Sequence, residues 1–213
     1  MASDAVVEYE GLDIKTYENV YGPSEDSYLA AEFIAREIRK RREQGLDVLD
    51  MGTGSGIIGI TVGKEKNVGS ITFSDINTYA LELAEKNLDR NKEKISAKSR
   101  FVLSDMFARL DDNFDVIIFN PPYLRSEPSG KDGREWWDGG TDGVEVAMRF
   151  LDEAIKHLKH NGSIFLVHSS LSDIGKLKIH IEDLGLKELS SMSSHFFFET
   201  ITCIRLERNA HGL

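Results

Sequence analysis

Short apolar stretches alternate along the chain with segments whose apolar residues recur every three or four positions. The first of these segments follows a loop at residues 21–24, and the apolar positions that predict its buried helical face are Leu29, Ala30, Phe33, Ile34 and Ile38. Ser24 can cap this helix, and Glu25 and Asp26 suit its positive N-terminal end. A helix is therefore expected near the start of the chain.

Strand candidates and helix candidates then follow one another. The strand candidates are residues 47–50, 70–74, 100–103, 114–119, 164–168, 186–192 and 199–206. One helix candidate follows the first of these strands and ends near residue 62, and the others cover residues 79–91, 144–158 and 172–183. This alternation predicts an α/β fold with a doubly wound, Rossmann-like sheet of seven strands, mostly parallel with an antiparallel last strand. We expect one domain over residues 1–213, with residues 1–20 as an extension that contains a candidate hairpin at Glu10-Gly11.

Charge and cysteine content narrow the class of protein. The chain has 36 acidic and 26 basic residues, a net charge of −10, so a sequence-independent nucleic-acid binder is disfavoured. Cys203 is the only cysteine, which excludes an internal disulfide and favours a cytoplasmic setting. The apolar runs, such as residues 116–119, are too short to span a bilayer, and the N-terminus has no signal-peptide pattern. We expect no membrane association.

A glycine-rich loop follows the first of the parallel strands. The segment Asp50-Met51-Gly52-Thr53-Gly54-Ser55-Gly56 lies where this strand turns into a helix, and residues 54–59 also match the dinucleotide fingerprint G-x-G-x-x-G. Glycines at such a turn permit positive φ angles and let a ligand approach the backbone. The fingerprint alone is a weak signal, and a strand-to-helix turn without a ligand remains an alternative.

Two further acidic residues end the next two strands. Asp75 can accept hydrogen bonds from both hydroxyls of a ribose. Asp105 can accept from an adenine amino group while Met106 packs against the ring. Ligands of doubly wound sheets bind at the carboxyl ends of the strands, and all three acids, Asp50 included, fall there. A P-loop is excluded because no G-x-x-x-x-G-K-[ST] occurs.

The segment Asn120-Pro121-Pro122-Tyr123 directly follows the fourth strand. Consecutive prolines stiffen the backbone, so the loop can present its carbonyls and the Asn120 side-chain oxygen in fixed positions. Two acceptors can hold the N–H hydrogens of a planar nitrogen, while Tyr123 stacks on the flat group. An amide nitrogen is a poor nucleophile, and such positioning supplies much of its activation. No metal site is expected, because the histidines show no ligand spacing.

The glycine loop and the three acids resemble those of class I S-adenosylmethionine-dependent methyltransferases. The resemblance implies that Asp50 lies near the methionine end of the cofactor, Asp75 binds the ribose and Asp105 contacts the adenine. It implies S-adenosylmethionine as the cofactor. For the glycine loop alone, an NAD enzyme or a non-catalytic nucleotide-binding module remains the alternative.

The Asn-Pro-Pro-Tyr motif resembles that of methyltransferases acting on glutamine amides, adenine N6 or guanine N2. Within that set the chain is similar to the HemK family of release-factor glutamine methyltransferases, in its short archaeal and eukaryotic branch. Residues 20–27 resemble the branch's Tyr-x-Pro-x-Glu-Asp-(Ser/Thr) segment, which closes over the cofactor, and residues 137–143 resemble its Trp-x-Gly-Gly-x-x-Gly loop at the substrate entrance. Gly22 departs from the pattern, where a larger residue is expected.

The resemblance implies roles for individual residues. The expected cofactor-binding residues are Tyr21, Pro23, Glu25, Ser27, Asp50, Gly52, Thr53, Gly54, Gly56, Asp75, Ile76, Asp105, Met106 and Asn120. The catalytic motif is Asn120, Pro121, Pro122 and Tyr123, and the expected substrate-binding residues are Asn120, Pro121, Tyr123 and Trp137. The implied reaction is methylation of the glutamine N5 in the Gly-Gly-Gln loop of a peptide-chain release factor.

The sequence leaves open whether the substrate is a nucleic acid or a lysine rather than a glutamine, and whether a partner protein binds. The same motif serves nucleic-acid N-methyltransferases that act on adenine N6 or guanine N2, and it does not decide against lysine. The segment after the motif favours a protein, because Arg125, Lys131 and Arg134 are outnumbered by Glu127, Asp132, Glu135, Asp138 and Asp142. The resemblance also implies a small zinc-binding activator protein bound to the strand Arg100–Leu103, expected at an edge of the sheet.

Overall fold

The structure is a computed structural model that describes residues 5–123, 142–196 and 198–209. The strands in this part of the chain are β1 (Val6–Tyr9), β2 (Leu12–Lys15), β3 (Leu46–Met51), β4 (Val68–Asp75), β5 (Lys98–Leu103), β6 (Phe114–Phe119), β7 (Leu158–Ser169), β8 (Leu186–Phe196) and β9 (Glu199–Arg208). The α-helices are α1 (Glu25–Arg39), α2 (Ile57–Val62), α3 (Thr78–Arg90), α4 (Glu145–His157) and α5 (Ile174–Asp183). A 3₁₀ turn spans Lys92–Lys94.

Seven of these strands form one sheet in the order β5-β4-β3-β6-β7-β9-β8. The first five in that order pair in parallel, and β9 pairs antiparallel with both β7 and β8. The predicted α/β sheet with its antiparallel last strand is therefore confirmed, as is the edge position of β5. The strand order reverses between β3 and β6, and ligands of such sheets bind at this reversal.

The apolar residues of the strands alternate between two buried clusters, one on each face of the sheet. One cluster joins Val48, Val116, Ile118 and Phe165 to α1 and α2, and the other joins Leu49, Ile117, Phe119 and Leu166 to α4 and α5. This alternation follows from the two-residue period of a strand. Burial on both faces rigidly holds the strand ends that carry the candidate site.

The N-terminal hairpin predicted at Glu10-Gly11 is confirmed. Strands β1 and β2 pair antiparallel across a two-residue turn, in which Glu10 and Gly11 both have positive φ angles, of 47° and 76°. Such angles define the turn type whose twist matches that of the flanking strands. The hairpin is bound into the domain, since Leu12 and Ile14 are fully buried.

Several element boundaries differ from the sequence predictions. Strand β7 begins at Leu158 rather than at residue 164, and its pairing with β6 is irregular between Leu158 and Ser163. The helix predicted over 172–183 begins at Ile174. Ser24 is the N-cap residue of α1 as expected, but its hydroxyl donates to the Asp26 carboxylate instead of accepting from the backbone. No helix in the described ranges is long and apolar enough to cross a membrane.

Candidate functional site

The glycine loop connects β3 to α2 through backbone angles that favour glycine. Gly52, Gly54 and Gly56 have φ angles of 61°, 54° and 82°. A Cβ atom at Gly52 would lie 3.0 Å from the Phe119 ring, and one at Gly56 would lie 3.0 Å from the Cβ of Ala84. The loop thus packs closely against Phe119 and Ala84, and its cavity-facing side is accessible to a ligand.

Asp50 supports this loop from below. Its carboxylate accepts hydrogen bonds from the Thr53 hydroxyl at 2.6 Å and from the Gly59 N–H at 3.1 Å. Burial raises the pKa of Asp50 to about 7, and the charge of Asp75 adds to this shift, while the two hydrogen bonds oppose it. Asp50 does not line the cavity described below, so the structure gives it a role in holding the loop.

Asp75 closes β4 beside the loop. One carboxylate oxygen accepts from the Gly54 N–H at 3.0 Å and the other from the Asn77 N–H at 2.9 Å. Burial raises the pKa of Asp75, and the backbone hydrogen bonds lower it. The carboxylate is thereby fixed in the cavity wall.

Asp105 and Met106 follow β5 on the same side of the sheet. Met106 adopts a positive φ of 46°, and the half-exposed Asp105 carboxylate accepts from Arg149 of α4 at 2.5 Å. Both residues line the cavity, together with Val146 of α4. The expected adenine end is therefore bounded by a polar acceptor and by apolar side chains.

The Asn-Pro-Pro-Tyr motif leaves the end of β6 and meets Asp26 of α1. The Asp26 Oδ2 atom accepts from Asn120 Nδ2 at 3.0 Å, from the Tyr123 hydroxyl at 2.9 Å and from the Tyr21 hydroxyl at 3.1 Å. Burial, followed by the charge of Asp26, raises the pKa of Tyr123 and raises that of Tyr21 to about 12. Both phenols consequently stay protonated and donate at physiological pH.

The other end of the Asn120 amide has no such partner. Its Oδ1 atom is buried and has no hydrogen-bond partner within the described part of the chain. A buried acceptor without a partner is rare in folded proteins, because its desolvation is then uncompensated. Asn120 therefore presents an acceptor that a ligand N–H can satisfy.

The backbone of the motif is braced by the segments before α4 and α5. The Ser172 hydroxyl donates to the Tyr123 carbonyl at 3.0 Å. Gly143, with a φ of 75°, lies so close that a Cβ atom there would be 2.6 Å from the same carbonyl. The Tyr123 carbonyl is thus held by its neighbours and is not one of the acceptors left for a substrate.

A cavity of about 270 Å³ joins the glycine loop, the two acidic strand ends and the motif. Thirteen of the predicted site residues line it: Tyr21, Ser27, Gly52, Thr53, Gly54, Asp75, Ile76, Asp105, Met106, Asn120, Pro121, Pro122 and Tyr123. Four predicted cofactor-binding residues lie outside its lining, namely Pro23, Glu25, Asp50 and Gly56. Trp137 and most of the acidic segment after the motif lie outside the described residues.

The sequence prediction missed Asp26 as a site residue. It was placed in the segment that resembles the family's cofactor-closing motif and interpreted as a charge that complements the helix, but it was not among the predicted site residues. Its side chain is 3% exposed and contacts the Asn-Pro-Pro-Tyr motif. A signal was present, because Asp26 stands three, four and seven positions before apolar Leu29, Ala30 and Phe33, on the face that packs inward. An acidic residue on the buried face of a helix requires a specific partner.

The described residues fit the expected cofactor better than a metal. Within those ranges, no group of three or more histidine, cysteine, aspartate or glutamate side chains is arranged to hold a metal ion. The cavity instead offers a glycine loop with close backbone approach, a fixed carboxylate at Asp75 and apolar walls at Ile76 and Met106. Fold and cavity together define a Rossmann-like protein with a nucleotide-type cofactor site beside an Asn-Pro-Pro-Tyr loop.

Comparison with known families identifies this class further. The methyltransferase small domain model matches residues 11–184, and the chain belongs to that family. It is a methyltransferase. This outcome removes NAD chemistry and non-catalytic nucleotide binding from the alternatives.

Two relatives differ in how much of their length the chain covers. A Methanocaldococcus jannaschii protein, provisionally named protein N5-glutamine methyltransferase, is 34% identical over 206 residues, which are 95% of this chain and 99% of the relative. A release factor glutamine methyltransferase of Lactococcus lactis is 31% identical over 167 residues, 75% of this chain. The chain spans 59% of the length of that bacterial relative.

A solved structure of similar fold is the Mtq2–Trm112 complex of E. cuniculi, described as responsible for methylation of the eRF1 translation termination factor. The matched chain superposes with a TM-score of 0.66 at 24% identity, and the match covers 90% of this chain and 99% of that one. At this identity the likeness supports the fold. It agrees with the Rossmann-like sheet predicted from the sequence.

Proposed function

We propose that this protein transfers a methyl group from S-adenosylmethionine to the N5 atom of a glutamine side chain in a peptide-chain release factor. The names of the M. jannaschii and L. lactis relatives, which specify glutamine and release factor, support this assignment. The single observation in the structure that carries it is the unpartnered Oδ1 atom of Asn120.

That oxygen matches a primary amide substrate. Because Asn120 Nδ2 is bound to Asp26, the amide can offer only its oxygen to a substrate. A glutamine amide carries two N–H bonds and no charge, so it can satisfy this buried acceptor without bringing an unpaired charge into the cavity. We assign the Pro121 carbonyl as the acceptor for the second N–H, since Ser172 already donates to that of Tyr123.

Positioning explains how these residues promote the reaction. The lone pair of an amide nitrogen is delocalised, and two acceptors on its hydrogens increase its electron density while they fix its direction. Holding the nitrogen in a reactive orientation replaces an improbable encounter in solution. The cofactor supplies an activated sulfonium methyl group, so the protein needs no nucleophile of its own. The N–C bond forms as the S–CH₃ bond breaks, S-adenosylhomocysteine is the leaving group, and the methylated nitrogen releases one proton to solvent.

The cavity residues divide the binding of the cofactor among themselves. Asp75, held by the Gly54 and Asn77 N–H groups, is assigned to the ribose hydroxyls. Asp105 and Met106 are assigned to the adenine, with Val146 packed at the same end. The glycine loop is assigned to the remainder of the molecule, because the positive φ angles of its glycines let a ligand approach the backbone closely.

A small activator protein is the proposed partner, and β5 is its proposed binding site. This strand lies at the edge of the sheet, and four of its six residues are exposed. Leu103 at its end is 40% exposed and lies next to the cavity residues 104–106. A partner strand added here would satisfy the unpaired backbone groups of the edge and would support the adenine end of the site.

The partner is testable by co-expression with a candidate zinc-binding activator. We expect the two chains to elute together on size-exclusion chromatography, and we expect Arg100→Pro in β5 to separate them, because proline removes a backbone donor. A proline at an exposed position of β1, Glu8→Pro, is the control for nonspecific damage. Full activity and solubility of the chain alone would make the partner dispensable.

The proposed substrate is tested by offering the enzyme labelled S-adenosylmethionine with either release factor or RNA. We expect label on release factor and none on RNA, since a chain of net charge −10 gains little from phosphate contacts. Asn120→Ala is the control, because it removes the acceptor and should reduce the label to a small residual amount. Label on RNA or on lysine residues, with none on glutamine, would contradict the proposal.

A further inference from the structure

Asp26 has an unusual set of contacts for a residue of a helix N-terminus. It lies at the second position of α1, where its carboxylate could have served the backbone N–H groups of the first turn. It does bind the Ser27 N–H, through Oδ1 at 2.6 Å, but its Oδ2 atom accepts from three side chains of the site. Those side chains are Tyr21, Asn120 and Tyr123.

These bonds connect two parts of the cavity that are distant in sequence. Tyr21 belongs to the segment before α1, whereas Asn120 and Tyr123 are 94 and 97 residues further along the chain than Asp26. Within the described residues no cation forms an ion pair with Asp26. The carboxylate is therefore satisfied by neutral donors, and its charge remains beside the motif.

We propose that Asp26 is a positioning residue that fixes which end of the Asn120 amide faces the substrate. The inference rests on the proposed function and adds a determinant of substrate class to it. A carboxylate only accepts hydrogen bonds, so the amide must turn its NH₂ group toward Asp26 and its oxygen away from it. The flipped Asn120 amide would place its Oδ1 atom against the Asp26 Oδ2 atom, with no hydrogen to form a bond between them.

The consequence is selectivity for substrates that donate hydrogen bonds. With Asp26 in place, the motif presents an acceptor and favours groups with N–H bonds. Without the charge of Asp26, the Asn120 amide can rotate and present its N–H donors to the substrate. A glutamine side-chain nitrogen offers no acceptor for these donors. The two tyrosine hydroxyls contribute by occupying the same carboxylate oxygen, which restricts the movement of Asp26 itself.

The test uses Asp26→Asn, a change of nearly identical shape that removes the charge and lets the neighbouring amide rotate. We expect the single-turnover rate with release factor to fall by about 100-fold, the effect typical of losing one pre-oriented hydrogen-bonding group. The Kd for S-adenosylmethionine and the KM for release factor should change by less than about threefold, since ground-state binding is largely retained. Glu32→Gln, an exposed neutralisation on the same helix, is the control and should change none of these values.

A double-mutant cycle separates positioning from a general structural effect. In an Asn120→Ala background, Asp26→Asn should change the residual rate by less than about threefold, because the group that Asp26 positions is gone. Independent and additive losses would overturn the proposal. So would a normal rate in a folded Asp26→Asn variant.

A measurement without turnover keeps this inference separate from the proposed function. In ¹⁵N NMR spectra, the side-chain NH₂ signals that disappear in Asn120→Ala belong to Asn120. We expect these signals to shift and to lose protection from hydrogen exchange in Asp26→Asn, but not in Glu32→Gln. Unchanged signals would refute the role of Asp26, whereas absence of release-factor methylation by the wild type would refute only the proposed function.

Discussion

Gly143→Ala should damage the site through the backbone of the motif. The φ of 75° at this position costs an alanine about 1–2 kcal/mol, which is the strain of the left-handed region. The new Cβ atom would lie 2.6 Å from the Tyr123 carbonyl oxygen. An ordinary contact begins at 3.4 Å, so the carbonyl must retreat by about 0.8 Å. Because a displacement near 1 Å costs roughly 100-fold in rate, we expect turnover to fall by about 10- to 100-fold.

Gly185→Ala provides the matched control. Gly185 has a similar φ of 68°, yet a Cβ atom there would meet none of the described atoms within 4 Å. Urea unfolding should show a loss of about 1–2 kcal/mol in Gly185→Ala and a larger loss in Gly143→Ala, because only the latter adds a steric clash to the φ strain. Single-turnover methylation should fall only in Gly143→Ala. Wild-type turnover in a folded Gly143→Ala protein would refute the claim that the Tyr123 backbone is positioned by this contact.

Three further substitutions separate cofactor binding, chemistry and stability. Asp75→Ala should weaken S-adenosylmethionine binding by about 1–3 kcal/mol in calorimetry, the usual cost of losing a charged hydrogen-bond partner, and unchanged affinity would remove it from the ribose site. Asn120→Ala should retain much of that binding while nearly abolishing turnover, and normal turnover would exclude the proposed mechanism. Burial holds the pKa of Asp50 at about 7, above its value in the unfolded chain, so folded protein binds the proton more tightly. The free energy of unfolding should therefore decrease as pH rises from about 4 to 7, and Asp50→Asn should flatten that dependence. An equal slope in both proteins, measured by urea unfolding, would contradict this assignment.

Much of the fold could be predicted from local patterns. The parallel strands are short runs of apolar residues buried on both faces, so hydrophobic patterning located β6 at its observed bounds, Phe114–Phe119. The boundaries of β7 were wrong because residues 158–163 combine polar side chains with an irregular register, which periodicity does not detect. Strand ends of this kind depend on tertiary pairing rather than on local propensity.

The candidate site was predictable where a motif fixes chemistry and less so where packing decides it. The glycine loop and the Asn-Pro-Pro-Tyr segment were located by residue type, and they line one cavity. Asp50 is predicted to bind the cofactor near its methionine end, whereas its hydrogen bonds with Thr53 and Gly59 beneath the loop depend on packing and could not be predicted from the sequence. The contacts of Asp26 with Asn120 were missed because they join residues 94 positions apart.

The most direct test of the account changes the substrate rather than the enzyme. Release factors with Gln, Glu or Asn in the Gly-Gly-Gln loop are incubated with S-adenosylmethionine, and peptide mass spectrometry locates any added methyl group. We predict methylation of the Gln side chain, none on Glu, which has no N–H for Asn120 to hold, and severely reduced methylation of the shorter Asn. Equal methylation of the Glu loop, or a methyl group found elsewhere on the release factor, would contradict the central claim.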